Sequence, residues 1–371
     1  MTAKIYRKMQ NRTAKSMLSE FKMLDAAKIC DLLLDMSKNG ESLLIFSHQN
    51  PDGDTVGSAF ALKQICSQLK IRAKCVCCGD GAPYLHNFYW KQDTIAYSPG
   101  EENNFDFLCA VDVASPKQLG FLAKLSGKFS FMIDHHKSGE PFADYFICPD
   151  ASACGELIYE IYALLTERGA AEHDPQTARC LYAAISSDTG SFKYSNTTGK
   201  THMIAAALAD EINNACDGGS DCAEIARILH DSRTVGELRA EKLAIENLRF
   251  ACGGKLAYLV FTADMMEQNS LTELDLGGLV DLPRSIEGVS VGLTIKQSRT
   301  DPRSFRLSSR SNAGVNVAEI CKSFGGGGHD KAAGASLEAD SPQKAEEIII
   351  PKFAAALEAE AAMDSGNRKQ S

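Results

Sequence analysis

No stretch of this 371-residue chain approaches the roughly 18 to 20 consecutive apolar residues that a membrane-spanning helix needs. Met1 to Lys22 is mixed and basic and lacks the apolar centre of a secretory leader. We read it as a helical or frayed extension at a cytosolic start. A surplus of positive charge is also missing: 39 Lys and Arg stand against 48 Asp and Glu, for a net charge of −9. With a pI near 5.5, a broad basic face that coats long duplex DNA is excluded. A short phosphorylated ligand in a local basic pocket is not. There is no internal repeat and no low-complexity segment. Among 13 cysteines no two Cys-x-x-Cys motifs pair up, so a zinc ribbon is excluded. Cys75 and Cys77 alternate onto one face of a strand-like run with Cys78, a poor disulfide arrangement. Reduced thiols serving as small core hydrophobes fit better, and they fit a cytoplasmic protein.

What is present is an ordinary globular composition, 44% hydrophobic and 23% charged, on a chain long enough for two domains. Residues 24–205 alternate helical and strand patterns. Leu24, Ile29, Leu32, Leu33 and Met36 space a helix over 23–38, with Gly40 as its stop. Strands are expected at 43–47, 73–78, 107–111 and 129–133, and helices at 55–69, 154–167 and 175–185. Such alternation predicts an α/β fold with a doubly wound, mainly parallel sheet. Residues 206–235 read as a helical connector. A smaller α/β domain is expected over 236–352, with strands at 256–261, 289–295 and 304–309 and a helix at 315–324. Residues 1–23 form the extension, and residues 353–371 a helical tail that frays.

Four acidic clusters follow apolar runs. Ser47-His48-Gln49-Asn50-Pro51-Asp52-Gly53-Asp54 follows Leu43 to Phe46, and Asp112 follows Phe107 to Val111. Asp134-His135-His136 follows Phe129 to Ile133, and Asp188 follows Leu181 to Ile185. Taken as strand ends, these runs deliver the clusters to the carboxyl rim of the sheet, where such folds bind ligands. Like charges gathered there need cations, and a pair of divalent metals would form a hydrolytic centre. Each cluster alone has a plainer reading. Asp54 is equally well explained as a helix cap, Asp112 and Asp188 as turn formers, and one histidine as a hydrogen-bonded structural residue. Carboxylate with imidazole suits Mn2+, Fe2+ or Zn2+ better than Mg2+ or Ca2+. In the second domain, Gly325 to Gly328 precede His329, and Arg310 and Ser311 follow a strand. Glycine amides and a guanidinium suit an anion; the plainer reading is a loop whose first glycine caps a helix.

Asn50-Pro51-Asp52-Gly53-Asp54, Val111-Asp112, Asp134-His135-His136, Ser187-Asp188-Thr189-Gly190 and Gly325-Gly326-Gly327-Gly328-His329 stand in the order of the DHH family of phosphoesterases. The chain resembles that family over roughly residues 40 to 340. Within it, the chain is similar to the bacterial branch that degrades short oligoribonucleotides and 3′-phosphoadenosine-5′-phosphate (pAp). Asn50, in place of an aspartate, favours that branch over the long-strand exonucleases. The resemblance implies a Mn2+-dependent enzyme with two ions per chain, cutting nanoRNA to mononucleotides and pAp to AMP and phosphate. It implies an active site in the cleft between a metal-binding domain and a DHH-associated substrate domain. By the same resemblance His48 and Asp52 bind one ion, Asp54, His135 and Asp188 the other, and Asp112 bridges them. His136 touches the scissile phosphate and Asp134 orients a histidine. Arg310, Ser311, Gly326, Gly327, Gly328 and His329 hold a substrate phosphate. The expected partners are these short nucleotides, with no long duplex and no membrane, and with a homodimer open. Three rival readings are a stand-alone cyclic- or linear-dinucleotide phosphodiesterase, a polyphosphatase or pyrophosphatase, and a non-catalytic nucleotide-binding protein. The complete ligand set argues against the last.

Overall fold

The structure is a computed structural model that describes residues 21–79, 96–137, 139–215, 221–312 and 314–367. The first 20 residues of the expected extension lie outside the described residues. The chain divides into two compact units, Met1–Ser232 and Arg233–Ser371.

The first unit is built on β1 (Ser42–Phe46), β2 (Arg72–Val76), β3 (Phe107–Val111), β4 (Phe131–Asp134) and β5 (Asp144–Ile147). They pair in parallel in the order β2-β1-β3-β4-β5. Its helices are α1 (Ala26–Asn39), α2 (Gly53–Gln68), α3 (Cys154–Glu167), α4 (Pro175–Asp188), α5 (Gly199–Ala215) and α6 (Asp221–Ala226). A parallel sheet must be covered on both faces, so its inner strands β1, β3 and β4 are apolar almost throughout, while the edge strands β2 and β5 carry Arg72, Lys74 and Asp144. Leu43, Ile45, Cys109, Val111, Phe131 and Ile133 face a core shared with α1 to α4. Leu44, Phe46, Leu108, Ala110 and Met132 face Leu119, Leu122 and Leu125 on the other side. In this strand order the winding reverses between β1 and β3. That switch point is where the loops splay apart and leave a crevice, and His48 and Asp112 follow those two strands.

Helix α1 shows how local sequence sets the elements. Asp25 accepts the amide of Lys28, Gly40 closes the helix at φ 70°, and Ala26, Ile29, Cys30, Leu33 and Met36 form its buried stripe. The described cysteines are all free thiols, and Cys30, Cys66, Cys109 and Cys154 lie in the core. No helix among the described residues is long and apolar enough to cross a membrane.

The second unit comprises α7 (Val235–Glu246), β6 (Arg249–Ala251), β7 (Leu256–Phe261), α8 (Ala263–Gln268), α9 (Asp281–Arg284), β8 (Val291–Gln297), β9 (Ser304–Ser311), α10 (Val317–Lys322), β10 (Gly327–His329), β11 (Ala332–Glu338) and α11 (Pro342–Asn367). Its sheet runs β10-β11-β9-β8-β7-β6, with β7 and β8 parallel and the other ladders antiparallel. Alternate residues Phe305 and Leu307 of β9, with Val291, Leu293 and Ile295 of β8, pack under α10 and α11.

Two boundaries differ from the sequence expectation. Residues 206–232 belong to the first unit rather than forming a free connector, because Leu208, Ile212 and Ile225 sit in its core. Beyond residue 352 the chain stays helical to Asn367, because Ala345, Ile349, Phe353 and Leu357 keep one buried stripe against the second sheet. Phe353 is fully buried. Phe353→Ala should therefore destabilise the second unit by about 3 to 5 kcal/mol. Urea unfolding of the full chain reads this as an earlier transition for that unit; an unmoved curve would mean that the segment is a passive tail.

Candidate metal centre

Asp52 is the N-cap of α2, its Oδ1 accepting the amides of Asp54 and Thr55 at 3.1 Å each. The capping role considered for Asp54 therefore belongs to Asp52. Its other oxygen stands 3.6 Å from His48 Nε2. Asp54, one residue into the helix, is fully buried. It accepts the amides of Cys154 at 2.7 Å and Gly155 at 3.0 Å, at the start of α3, and the Ser58 hydroxyl at 3.0 Å. Gly53 lets α2 meet α4 closely enough for this, since a Cβ there would lie 2.5 Å from that of Ser187.

Asp112 follows β3 with φ 59°, a left-handed turn that costs an L-residue strain. Its amide donates to Ile133 O at 2.9 Å. Oδ2 stands 3.6 Å from His48 Nε2, and Oδ1 stands 3.6 Å from His135 Nε2 and 3.5 Å from His136 Nδ1. His135 Nδ1 is hydrogen-bonded to Ala151 O at 3.2 Å, which directs Nε2 into the cluster, 3.7 Å from Asp54 and 3.5 Å from Asp188. His136 Nδ1 is 2.7 Å from Asp134 Oδ1, so Asp134 orients His136.

Asp188 follows the helix expected over 175–185 and not a strand end. It is the last residue of α4, whose N-terminus is capped by Asp174 and started by Pro175. The carboxylates thus come from the start of α2, the ends of β3 and β4, and the end of α4. A helix C-terminus carries negative partial charge, so Asp188 is placed where a carboxylate is least welcome without a cation.

Nitrogen and oxygen atoms of His48, Asp52 and Asp112 lie within 4.8 Å of one another, and so do those of Asp54, His135 and Asp188. Asp112, His135 and His136 form a third such group that overlaps both. Protonation follows the crowding. Burial, then the Asp112 and Asp188 carboxylates, push Asp54 well above the usual carboxylate range. Burial raises Asp188 to about 7, despite His135. Burial opposes charge on Asp112 as well, but the His48 bond and the surrounding imidazoles hold it below the usual range. Burial works against the His48 cation, yet Asp52 and Asp112 outweigh it and hold the ring well above an ordinary histidine. His136 is held at about 9, where Asp134 and Asp112 outweigh burial. The donor set fits divalent transition ions, with imidazole and carboxylate together. Asp112 Oδ1 is buried and accepts no hydrogen bond, the state of an oxygen built to meet a cation.

In the second unit the glycine run is not an open loop. Gly325, at φ 77°, closes α10, with Gly325 N and Gly326 N bonded to Lys322 O and Cys321 O at 2.9 Å each. Gly327 to His329 then form β10, paired with β11. His329, Ala332 and Arg310 stand opposite one another across β10, β11 and β9. Arg310 and His329 therefore share one sheet face, about 10 Å apart with a small residue between. Arg310 is 3.9 Å from Asp281. Ser311 is not with them. Strand alternation turns it to the core side with Phe305, Leu307 and Ser309, where it is 3% exposed. Ser152, Glu156 and Thr201, hydrogen-bonded to one another, and Asn196, bonded to Ser152 O and Asp188 O, lie beside the centre without having been singled out in the sequence. Their only signal was helix-start chemistry near residues 153 and 198.

A model of the DHH family, N-terminal domain, matches residues 42–185, and a DHHA1 domain model matches residues 253–359. The probable bifunctional oligoribonuclease and PAP phosphatase NrnA of Streptococcus mutans is 27% identical, over 82% of this chain and 92% of that protein. The bifunctional oligoribonuclease and PAP phosphatase NrnA of Thermus thermophilus is also 27% identical, over 83% and 88%. Among solved structures, an exopolyphosphatase-related protein from Bacteroides fragilis superposes with a TM-score of 0.75. It covers 89% of this chain and 96% of that one at 20% identity, which shows a common fold. With a DHH domain as its first unit and a DHHA1 domain as its second, the chain belongs to the DHH family of phosphoesterases.

Proposed function

We propose that the protein is a Mn2+-dependent phosphoesterase that hydrolyses short oligoribonucleotides to mononucleotides, and pAp to AMP and phosphate. The observation that carries this reading is Asp112, buried, a member of the His48–Asp52 set and 3.6 Å from His135 of the other set, with an oxygen that no hydrogen bond satisfies. The relatives' names support the substrate class. On this reading His48 and Asp52 hold one ion, Asp54, His135 and Asp188 hold the other, and Asp112 joins both sets. Two ions bound there would supply Lewis-acid polarisation of the phosphate ester and of the attacking water.

The chain's own residues do the rest. Asp112 fixes the spacing of the two sets, because its two oxygens face different histidines. The Asp134 and Asp112 carboxylates hold His136 at about 9 against burial, and the ring is placed to donate to a phosphate oxygen as negative charge builds there. Asp134 keeps that ring oriented and charged. Arg310 and His329, with Gly327 and Gly328 leaving the backbone bare beside them, hold a second, non-reacting phosphate; the Gly326 amide is spent on Cys321 O and Ser311 faces the core, so neither joins that contact. Remote binding of this kind positions the reacting phosphate and so affects turnover as well as affinity.

Three outcomes test this. Asp112→Ala should remove pAp and dinucleotide hydrolysis almost entirely, while His136→Ala should keep its Mn2+ and lose turnover by a factor on the order of 10² or more. Metal analysis decides: loss of bound Mn2+ in the His136 variant would contradict its role.

Proton release is the second. Asp54 and His48 are held well above their ordinary values and Asp188 at about 7, so the metal-free centre carries protons at neutral pH. Mn2+ must displace them, so binding should release protons and weaken as pH falls from 8 toward 6, roughly the span over which such groups fill. Calorimetry in buffers of different ionisation enthalpy reads this directly, and pH-independent binding would exclude it.

The third concerns substrate. Arg310→Ala should impair pAp and dinucleotide cleavage strongly and bis-p-nitrophenyl phosphate little, since that ester has no second phosphate. A panel of pAp, a dinucleotide, a 5-mer, a 24-mer, a cyclic dinucleotide and polyphosphate then ranks the substrates. Preference for polyphosphate or the 24-mer would overturn the assignment.

A further inference from the structure

Glu156 is a buried carboxylate that the proposed chemistry does not use. It lies in the first turn of α3 and is 1% exposed. Burying a carboxylate is costly unless donors surround it. Here the donors are two hydroxyls on one oxygen, Ser152 Oγ at 2.5 Å and Thr201 Oγ1 at 2.7 Å, themselves 3.2 Å apart. Thr201 is brought in by the start of α5, where it exchanges hydrogen bonds with Thr198.

The segment that this carboxylate pins bonds two members of a single ligand set directly and reaches the backbone of the third through Asn196. Ala151 O is bonded to His135 Nδ1 at 3.2 Å. Ser152 O accepts from Asn196 Nδ2 at 2.9 Å, and the same amide donates to Asp188 O at 3.1 Å. The amides of Cys154 and Gly155 hold Asp54. Residues 151–155 therefore set the ring of His135, the end of α4 that carries Asp188, and the carboxylate of Asp54. The His48–Asp52 side is held differently. Gln118 O accepts from Gln49 N at 2.7 Å, and the Gln118 side chain accepts from Ala114 N at 2.5 Å. The two halves meet where Asp52 Oδ1 accepts the amide of Asp54, and beyond that bond they take different braces.

We propose that Ser152, Glu156, Thr201 and Asn196 are positioning residues for the Asp54–His135–Asp188 set alone, and that they decide how tightly the ion there is held relative to its neighbour. The proposal rests on the two-ion reading above. Its consequence is independent adjustment. A change in this network alters one ion's affinity and leaves the other ion in place.

The test is Mn2+ binding to the full-length chain, resolved into its steps by calorimetry and by electron paramagnetic resonance. The variants are Thr201→Val, Thr201→Ser and Asn196→Ala, with Asp188→Asn as control. Thr201→Val deletes one donor to Glu156 at nearly constant volume, and Thr201→Ser keeps it. Asn196 is exposed, so Asn196→Ala leaves packing intact if the valine variant fails to fold. Thr201→Val and Asn196→Ala should each weaken one binding step about tenfold, the same step that Asp188→Asn removes, with the other step unchanged. Thr201→Ser should restore it. Equal weakening of both steps, or no change in either, overturns the proposal while the two-ion reading stands. A single Mn2+ step in the unmodified chain overturns that reading and the proposal with it.

Discussion

The first unit depends on one electrostatic constraint, the burial of Asp112 beside three imidazoles and within reach of further carboxylates. A group so placed has no low-energy state unless positive charge surrounds it. Without metal the positive charge is protons, taken up by His48 and His136 and, as neutralisation, by Asp54 and Asp188. The local structure serves the same end. The left-handed turn at Asp112 holds the carboxylate at the switch point of the sheet instead of letting it reach solvent. Asp134 is removed from the cluster by its own bond to His136. Even the cap of α2 contributes, since Asp52 spends one oxygen on the helix and keeps the other for His48.

Much of this was legible in the sequence because a parallel sheet leaves a plain record. Leu43 to Phe46, Phe107 to Val111 and Phe131 to Ile133, ahead of His48, Asp112 and Asp134, are apolar without alternation, the pattern of strands buried on both faces. Asp188 was less clear, because five apolar residues from Leu181 to Ile185 carry no period of their own. The deciding signal lay earlier, in Asp174-Pro175, a cap and first-turn pair that commits the whole run to a helix. The ends of the units were harder still. Leu208, Ile212 and Phe353 belong to regular helical stripes, but which core they meet is a tertiary fact. In the second unit, period two along β9 already separates Arg310 from Ser311. The strand formed by Gly327 to His329 left almost no pattern, because glycines have no side chains to alternate.

The helix ends around the centre work with opposite sign on the same ligand set. Asp54 sits at the start of α3, where two amide donors and a positive end favour its charge. Asp188 sits at the end of α4, where the negative end opposes it. His135 stands between them, 3.7 Å from one and 3.5 Å from the other. The helix ends do not decide the outcome alone: burial and the neighbouring carboxylates push Asp54 well above the usual range despite its two amide donors, and burial raises Asp188 to about 7. Both groups resist charge until positive charge stands beside them. The side chain of Asp188 is 31% exposed while that of Asp54 is fully buried, so the end of α4 is the open side of the set and the start of α3 its closed side.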